Sequence, residues 1–208
     1  MPNLVKNLPP RMVVAWMLIM MLPMAAFGQQ TANQEASAQN ARTYNDRGLA
    51  KEKKGDLDGA MADYNQAMKL NPKYAAPYNN RGNVRKKKGD LNGAMAEYNQ
   101  AIKLNPKFAL AYCNRGNLKF TKGDLDGAMA DFNQAIELNP QYGLAYRNRG
   151  NAKRKKGDLD GAMADFNRAI KLGVTTESHF YLYADSRSIR AADGHHTRSE
   201  YPKCRHLH

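Results

Sequence analysis

Histidine and cysteine are the residues of this sequence best suited to catalysis or metal binding, and their placement argues against both. There are five histidines and two cysteines, namely His179, His195, His196, His206, His208, Cys113 and Cys204. No CxxC pair occurs, and the histidines follow no zinc-like spacing. Cys113 has no base evident in the sequence to activate it. We therefore predict no enzyme, no metal site and no cofactor, and we interpret the His-containing tail 195–208 as polar and unstructured.

Basic clusters are the next candidates, because the chain carries a formal charge of +13. They lie at Lys51–Lys54, Arg85–Lys88 and Lys153–Lys156. Such clusters bind polyanions, either anionic lipid or nucleic acid. Acidic residues such as Asp56 and Asp58 follow closely, and few aromatic residues are interleaved for base stacking, which argues against nucleic acid. Polyanion binding is therefore kept as an alternative function.

A period of thirty-four residues organises these clusters and the rest of the central sequence. Four copies align without a gap, at 41–74, 75–108, 109–142 and 143–176. A fixed period of this size indicates a repeat architecture in which each copy buries its apolar face against its neighbours.

Each copy contains two helical segments joined by a Gly-Asp turn. In the second copy the first helix is predicted over Pro77–Lys88, and Gly89 supplies its left-handed C-cap. Asp90 then caps the next helix. Pro72, Pro106 and Pro140 end the preceding helices, since proline has no backbone N–H to donate. The predicted unit is an antiparallel helical hairpin.

Small and aromatic residues recur at the positions where the two helices of a hairpin cross. The first helices carry Gly48, Gly82, Gly116 and Gly150, and the second carry Ala60, Ala94, Ala128 and Ala162. Aromatic residues follow on the second helices at Tyr64, Tyr98, Phe132 and Phe166. Closely approaching helices have no room for larger side chains at the crossing.

The resulting pattern, Y-x-x-R-G…G-D-x-x-x-A-x-x-x-Y/F-x-x-A-I/M-x-L-x-P, resembles the tetratricopeptide repeat across residues 41–176. The resemblance implies an all-α fold, a right-handed α-α superhelix (solenoid) of four hairpins. Two departures are basic. Arginine stands where leucine is common, and lysine or arginine replaces the usual aromatic residue, at Arg47, Arg81, Arg115, Arg149, Lys51, Arg85, Lys119 and Lys153. We expect their aliphatic stems to pack and the core to be slightly thinner.

The resemblance also implies a concave groove in which side chains of the first helices bind a partner. By register, the groove residues are Asn79, Asn80, Asn83, Lys86, Lys87, Asn114, Asn117, Phe120, Arg147, Asn148, Asn151, Arg154 and Lys155. Asparagine side chains donate and accept, which suits the backbone of an extended peptide. The family's clamp for a terminal carboxylate is incomplete, because Asn79 and Leu144 replace its lysines and Asn148 replaces its arginine. We therefore expect no recognition of a peptide C-terminus.

The two ends of the chain lack the repeat pattern. Residues 1–28 have a basic start, an apolar run over 12–27 and small residues at a cleavage position, which is typical of a secretory signal peptide. We predict export to the periplasm or outside the cell, with an inner-membrane anchor at 12–27 as the alternative. Residues 29–40 are predicted to be a flexible linker. Within 177–208 we predict a capping helix over 177–192 and a disordered basic tail.

The sequence thus predicts a non-catalytic protein-protein interaction scaffold that binds an extended peptide or protein in the groove. Polyanion binding through the basic helix ends is one alternative, and a self-associating array that stacks through similar end faces is another. The close similarity of the copies favours an extended or repetitive ligand.

Overall fold

In the computed structural model, residues 33–174 are described, and all regular structure among them is α-helical. Helix α1 covers residues 33–53. The helices that follow are α2 (Leu57–Leu70), α3 (Ala75–Lys87), α4 (Leu91–Leu104), α5 (Ala109–Thr121), α6 (Leu125–Leu138), α7 (Gly143–Lys155) and α8 (Leu159–Lys171). The prediction of an all-α chain of helical hairpins is confirmed over this range.

The Gly-Asp turns end one helix and begin the next, as predicted. Gly123 has a φ of 85°, and its N–H donates to the carbonyl of Phe120 at 3.1 Å. Asp124 donates its backbone N–H to the carbonyl of Lys119 at 3.0 Å, while its side chain accepts the N–H of Gly127 at 2.9 Å. The same side-chain cap recurs at Asp56, Asp90 and Asp158. Local chemistry therefore sets the hairpin boundaries.

The close crossing of the two helices explains the glycines of the first helices. A Cβ built on Gly116 of α5 would lie 2.7 Å from Cε1 of Phe132 and 3.2 Å from the carbonyl oxygen of Ala128, both on α6. Phe132 and Ala128 have no solvent exposure. Real Cβ atoms essentially never show contacts as short as 2.7 Å, so a larger residue at Gly116 would force the two helices or the Phe132 ring to shift.

The chain divides into two compact units, residues 1–106 and 107–208, each holding two of the hairpins. In unit 1, Tyr64 and Met68 of α2 form a core with Val84 of α3. In unit 2, Phe132 of α6 forms a core with Cys113 and Ala145, from α5 and α7. Within each unit, therefore, the two hairpins share a core.

The prediction of a flexible linker is wrong for residues 33–40, which belong to α1. Alanine, glutamine and glutamate are good helix formers, and the segment continues directly into the first helix of the first hairpin. Ser37 Oγ also donates to the carbonyl of Leu70 at 2.9 Å, which ties this turn to the end of α2. The linker was predicted because this segment lacks core-forming side chains, but a helix that already exists can be extended without them.

Several predictions fall on residues that lie outside the described range. They are the signal peptide at 1–28, residues 29–32 of the linker, the capping helix at 177–192 and the tail at 195–208. Within residues 33–174, no helix combines the length and apolar character needed to cross a membrane.

Candidate partner-binding surface

In unit 1, the predicted groove asparagines contact one another across two first helices. Asn79 Nδ2 donates to Asn80 Oδ1 at 3.1 Å, and Asn80 Nδ2 donates to Asn45 Oδ1 of α1 at 2.9 Å. Asn79 has no solvent exposure and Asn80 only 7 %. Both were predicted to contact a partner, but their burial assigns them to packing between α1 and α3. An unpaired buried amide would be costly, and these amides satisfy one another.

Two of the other groove residues predicted in unit 1, Asn83 and Lys87, also have internal partners. Tyr98 donates its hydroxyl to Asn83 Oδ1 at 2.8 Å, and burial raises the pKa of that tyrosine. The Lys87 ammonium pairs with Glu52 Oε1 of α1 at 2.7 Å. Lys86 is half-buried beside it. The face of unit 1 is therefore largely engaged in its own contacts.

In unit 2, two contacts set the first helices α5 and α7 side by side. Asn148 Nδ2 of α7 lies 3.5 Å from Cys113 Sγ of α5. About two turns further along both helices, the Lys155 ammonium lies over the ring of Phe120, 5.3 Å from its centroid. Both contacts join residues thirty-five apart, as the pairs Asn45–Asn80 and Glu52–Lys87 do in unit 1.

The predicted residues of unit 2 lie along this pair of helices. Arg147, Asn151 and Arg154 are spaced by four and three residues, so they share one face of α7. Arg154 and Lys155 are exposed, and Arg147 is partly exposed. The partly buried α5 residues are Asn114, Asn117 and Phe120, and Asn148 of α7 is also partly buried. Unlike Asn79, these side chains retain accessible surface.

Buried acidic residues, which the sequence reasoning missed, account for the basic departures from the family pattern. Asp131 is 4 % exposed and accepts from Arg115 Nε at 2.9 Å and from Arg115 Nη2 at 2.7 Å. Lys119 Nζ lies 2.9 Å from the same carboxylate. Equivalent pairs are Arg47–Asp63, Arg81–Glu97 and Arg149–Asp165. The signal was an acid sixteen residues after each arginine in all four copies.

These bonds shift the pKa of several members of the pairs. Hydrogen bonding to Asp131 raises the pKa of the Arg115 guanidinium above its ordinary value, although burial opposes this. Hydrogen bonds from Arg47 hold the pKa of Asp63 below its ordinary value, and these bonds outweigh the desolvation of the carboxylate. In the first hairpin, the charged forms of Arg47 and Asp63 are therefore both stabilised by their pairing.

The basic helix ends are also paired with acids. Lys156 contacts Asp126 within unit 2, and Lys88 contacts Asp58 within unit 1 at 2.5 Å. Much of the charge that suggested a polyanion site is therefore neutralised locally. Among residues 33–174, no cluster of His, Cys, Asp or Glu has the arrangement of a metal site.

Comparison with protein families identifies the repeats. Models described as TPR repeat match residues 48–89 and 82–123, and models described as tetratricopeptide repeat match 109–142 and 145–172. No curated protein sequence matches the chain significantly.

Solved structures share the fold at low sequence identity. The MamA protein is 25% identical with a TM-score of 0.60, and the match covers 74% of this chain and 86% of that one. PilF of Pseudomonas aeruginosa is 18% identical with a TM-score of 0.69, covering 76% and 74%. The first TPR of Spaghetti (RPAP3), bound to the HSP90 peptide SRMEEVD, is 24% identical with a TM-score of 0.54, covering 58% and 95%.

Proposed function

The chain belongs to the tetratricopeptide repeat family, and on that premise we propose that it is a non-catalytic scaffold that binds an extended peptide or protein partner. The observation that carries the proposal is the pairing of α5 and α7 in unit 2. Their adjacent faces present amide, cationic and aromatic side chains that retain accessible surface. Fold alone does not fix function, so the proposal depends on these side chains.

The chemistry of this face suits a peptide backbone. Asn117 and Asn148 can each supply an acceptor oxygen and donor hydrogens, the groups that an extended backbone needs. The RPAP3 domain with its HSP90 peptide is a precedent for the fold only, given its 24% identity. The local pairing of the basic helix ends leaves less support for a polyanion ligand.

We further propose that the protein acts after export, because residues 1–28 have the composition of a signal peptide. N-terminal sequencing of the protein from its native host tests this. Export with cleavage predicts Gln29 as the first residue. Retention of Met1 together with recovery in the membrane fraction would instead support an anchor at 12–27.

Partner capture tests the scaffold function. The bait is the full-length chain, compared with a variant that changes Asn117, Asn148 and Arg154 to alanine. The control variant changes exposed residues of the second helices, Lys103, Glu137 and Lys171, to alanine. Circular dichroism verifies that all three fold. We expect the first variant to lose the captured partner and the control to retain it; equal recovery from both would refute binding by this surface.

A further inference from the structure

The two units differ in the charge of their first helices. In unit 1, α1 supplies Asp46 and Glu52, and Glu52 pairs with Lys87. In unit 2, neither α5 nor α7 contains an aspartate or a glutamate. Near-identical repeats therefore present two different electrostatic surfaces.

The cations of α7 fall into two groups by their partners. Arg149 and Lys153 both contact Asp165 of α8, at 2.6 and 3.1 Å. Arg147, Arg154 and Lys155 lie on the other side of the helix. Within residues 107–174, none of these three makes an ion pair with a carboxylate. Their charge is available to an external acid.

An aromatic ring completes this surface. Phe120 packs against the core of unit 2 yet remains partly exposed, and the Lys155 ammonium lies over it. In unit 1 the equivalent residues are Lys87 and Glu52, and there the carboxylate of Glu52 neutralises the lysine. The replacement of Glu52 by Phe120 at the same register therefore keeps the lysine in place and leaves its charge uncompensated.

We propose that the surface formed by Phe120, Arg147, Arg154 and Lys155, here called the unit 2 cationic face, binds an extended peptide segment through internal aspartate or glutamate side chains. The inference rests on the proposed scaffold function and names its partner class. Asn117 and Asn148 bind the peptide backbone, and the three cations bind acidic side chains.

The spacing of the arginines sets the spacing of the acids. Arg147 and Arg154 are separated by about 10 Å along α7, from the helical rise per residue. A peptide in the polyproline II conformation that runs along the helix rises about 9 Å in three residues, and residues three apart lie on the same side of it. Two acids three positions apart therefore match the two arginines.

Peptide is favoured over nucleic acid by the composition of the face. Nucleic-acid surfaces combine a continuous basic groove with several stacking rings. This face has three uncompensated cations, one ring and asparagines at successive turns. The amides can pair with both the donors and the acceptors of a peptide backbone, whereas a phosphate chain offers acceptors alone.

Fluorescence anisotropy with the full-length protein tests the inference. The probe is an N-acetylated, C-amidated labelled peptide with two glutamates three positions apart, and the reference peptide has glutamines there. The caps remove any terminal carboxylate. Arg154→Gln/Lys155→Gln is compared with Lys86→Gln/Lys87→Gln, which removes the same charge at the same register of unit 1.

We expect the glutamate probe to bind and Arg154→Gln/Lys155→Gln to weaken it about tenfold at low salt, with a change below about twofold for the unit 1 variant. Equal weakening by both variants would overturn the assignment to unit 2. Tighter binding of a single-stranded oligonucleotide or of anionic vesicles would overturn the peptide assignment. Partner capture that persists in Arg154→Gln/Lys155→Gln would refute the acidic segment and leave the scaffold function standing.

Discussion

Replacement of Asp131 by asparagine tests the buried ion cluster of the third hairpin. The side chain of Asp131 is 5 % exposed, and its carboxylate accepts hydrogen bonds from Arg115 and lies against Lys119. Removing one member of a buried ion pair costs about 3–5 kcal/mol, because the other is left buried and uncompensated. Arg115 and Lys119 retain 20 % and 22 % exposure and can turn toward water, which reduces the expected loss to about 2–3 kcal/mol.

Asp126 provides a matched control on the same helix, α6. Its side chain is 85 % exposed and pairs with Lys156 at the surface. Asp126→Asn removes the same charge by the same chemistry. We expect a loss below about 1 kcal/mol, because exposed pairs and helix-end charges contribute little. Urea unfolding followed by circular dichroism gives both free energies of unfolding. An unchanged m-value verifies that the variants differ in stability and not in the compactness of the folded or unfolded state.

A charge-free replacement gives the reasoning a second test. Arg115→Leu, Lys119→Tyr and Asp131→Ala together restore apolar residues at the two basic positions. Replacing a whole buried cluster by apolar residues is often neutral or stabilising. The free energy of unfolding of the triple variant should therefore lie within about 1 kcal/mol of that of the original chain. Equal losses from Asp131→Asn and Asp126→Asn would refute the view that burial makes this cluster matter.

Three further predictions concern packing and ionisation. Gly116→Ala should cost about 1–3 kcal/mol by urea unfolding, since its methyl group would overlap Phe132. Met68 and Ile170 occupy the same position of their repeats but are 8 % and 44 % exposed. Met68→Ala should therefore lower the free energy of unfolding by about 2–4 kcal/mol, and Ile170→Ala by less than half of that. Equal losses would mean that α8 is covered in the intact chain. The folded-state pKa of Asp63 is lowered, so its contribution to stability is complete above the unfolded pKa and is lost as the pH falls through the folded pKa. Asp63→Asn should therefore flatten the acid-unfolding curve below about pH 4.

The hairpin boundaries and the core were predictable because they depend on neighbouring residues. The turn at Gly123 and Asp124 is held by bonds to residues within five positions, and Gly116 opposite Phe132 follows from two helical periods. The buried acids were not predicted because each pairs with an arginine sixteen residues earlier, on the other helix. The register of the arginines does not by itself identify Asp131 as the partner of Arg115.

Burial of the unit 1 asparagines shows a second limit, which is that repeat register alone does not distinguish a buried position from an accessible one. Register places Asn79 and Asn80 on a partner surface, and their amides suit a peptide backbone. Asn80 instead bonds Asn45 of the preceding repeat, and Asn79 bonds Asn80. A contact between repeats depends on how successive first helices pack, which no single copy encodes. For the same reason only part of the candidate surface could be predicted from register.

The proposed ligand recognition depends on the few positions where the copies differ. One register reads Glu52, Lys86, Phe120 and Arg154 in successive copies. In unit 1 Glu52 neutralises Lys87, whereas in unit 2 Phe120 supports Lys155 without neutralising it. The close similarity of the repeats suggested a repetitive ligand, but the paired faces are chemically different. A partner with an acidic segment and a neutral remainder matches that asymmetry better than a uniformly charged polymer does.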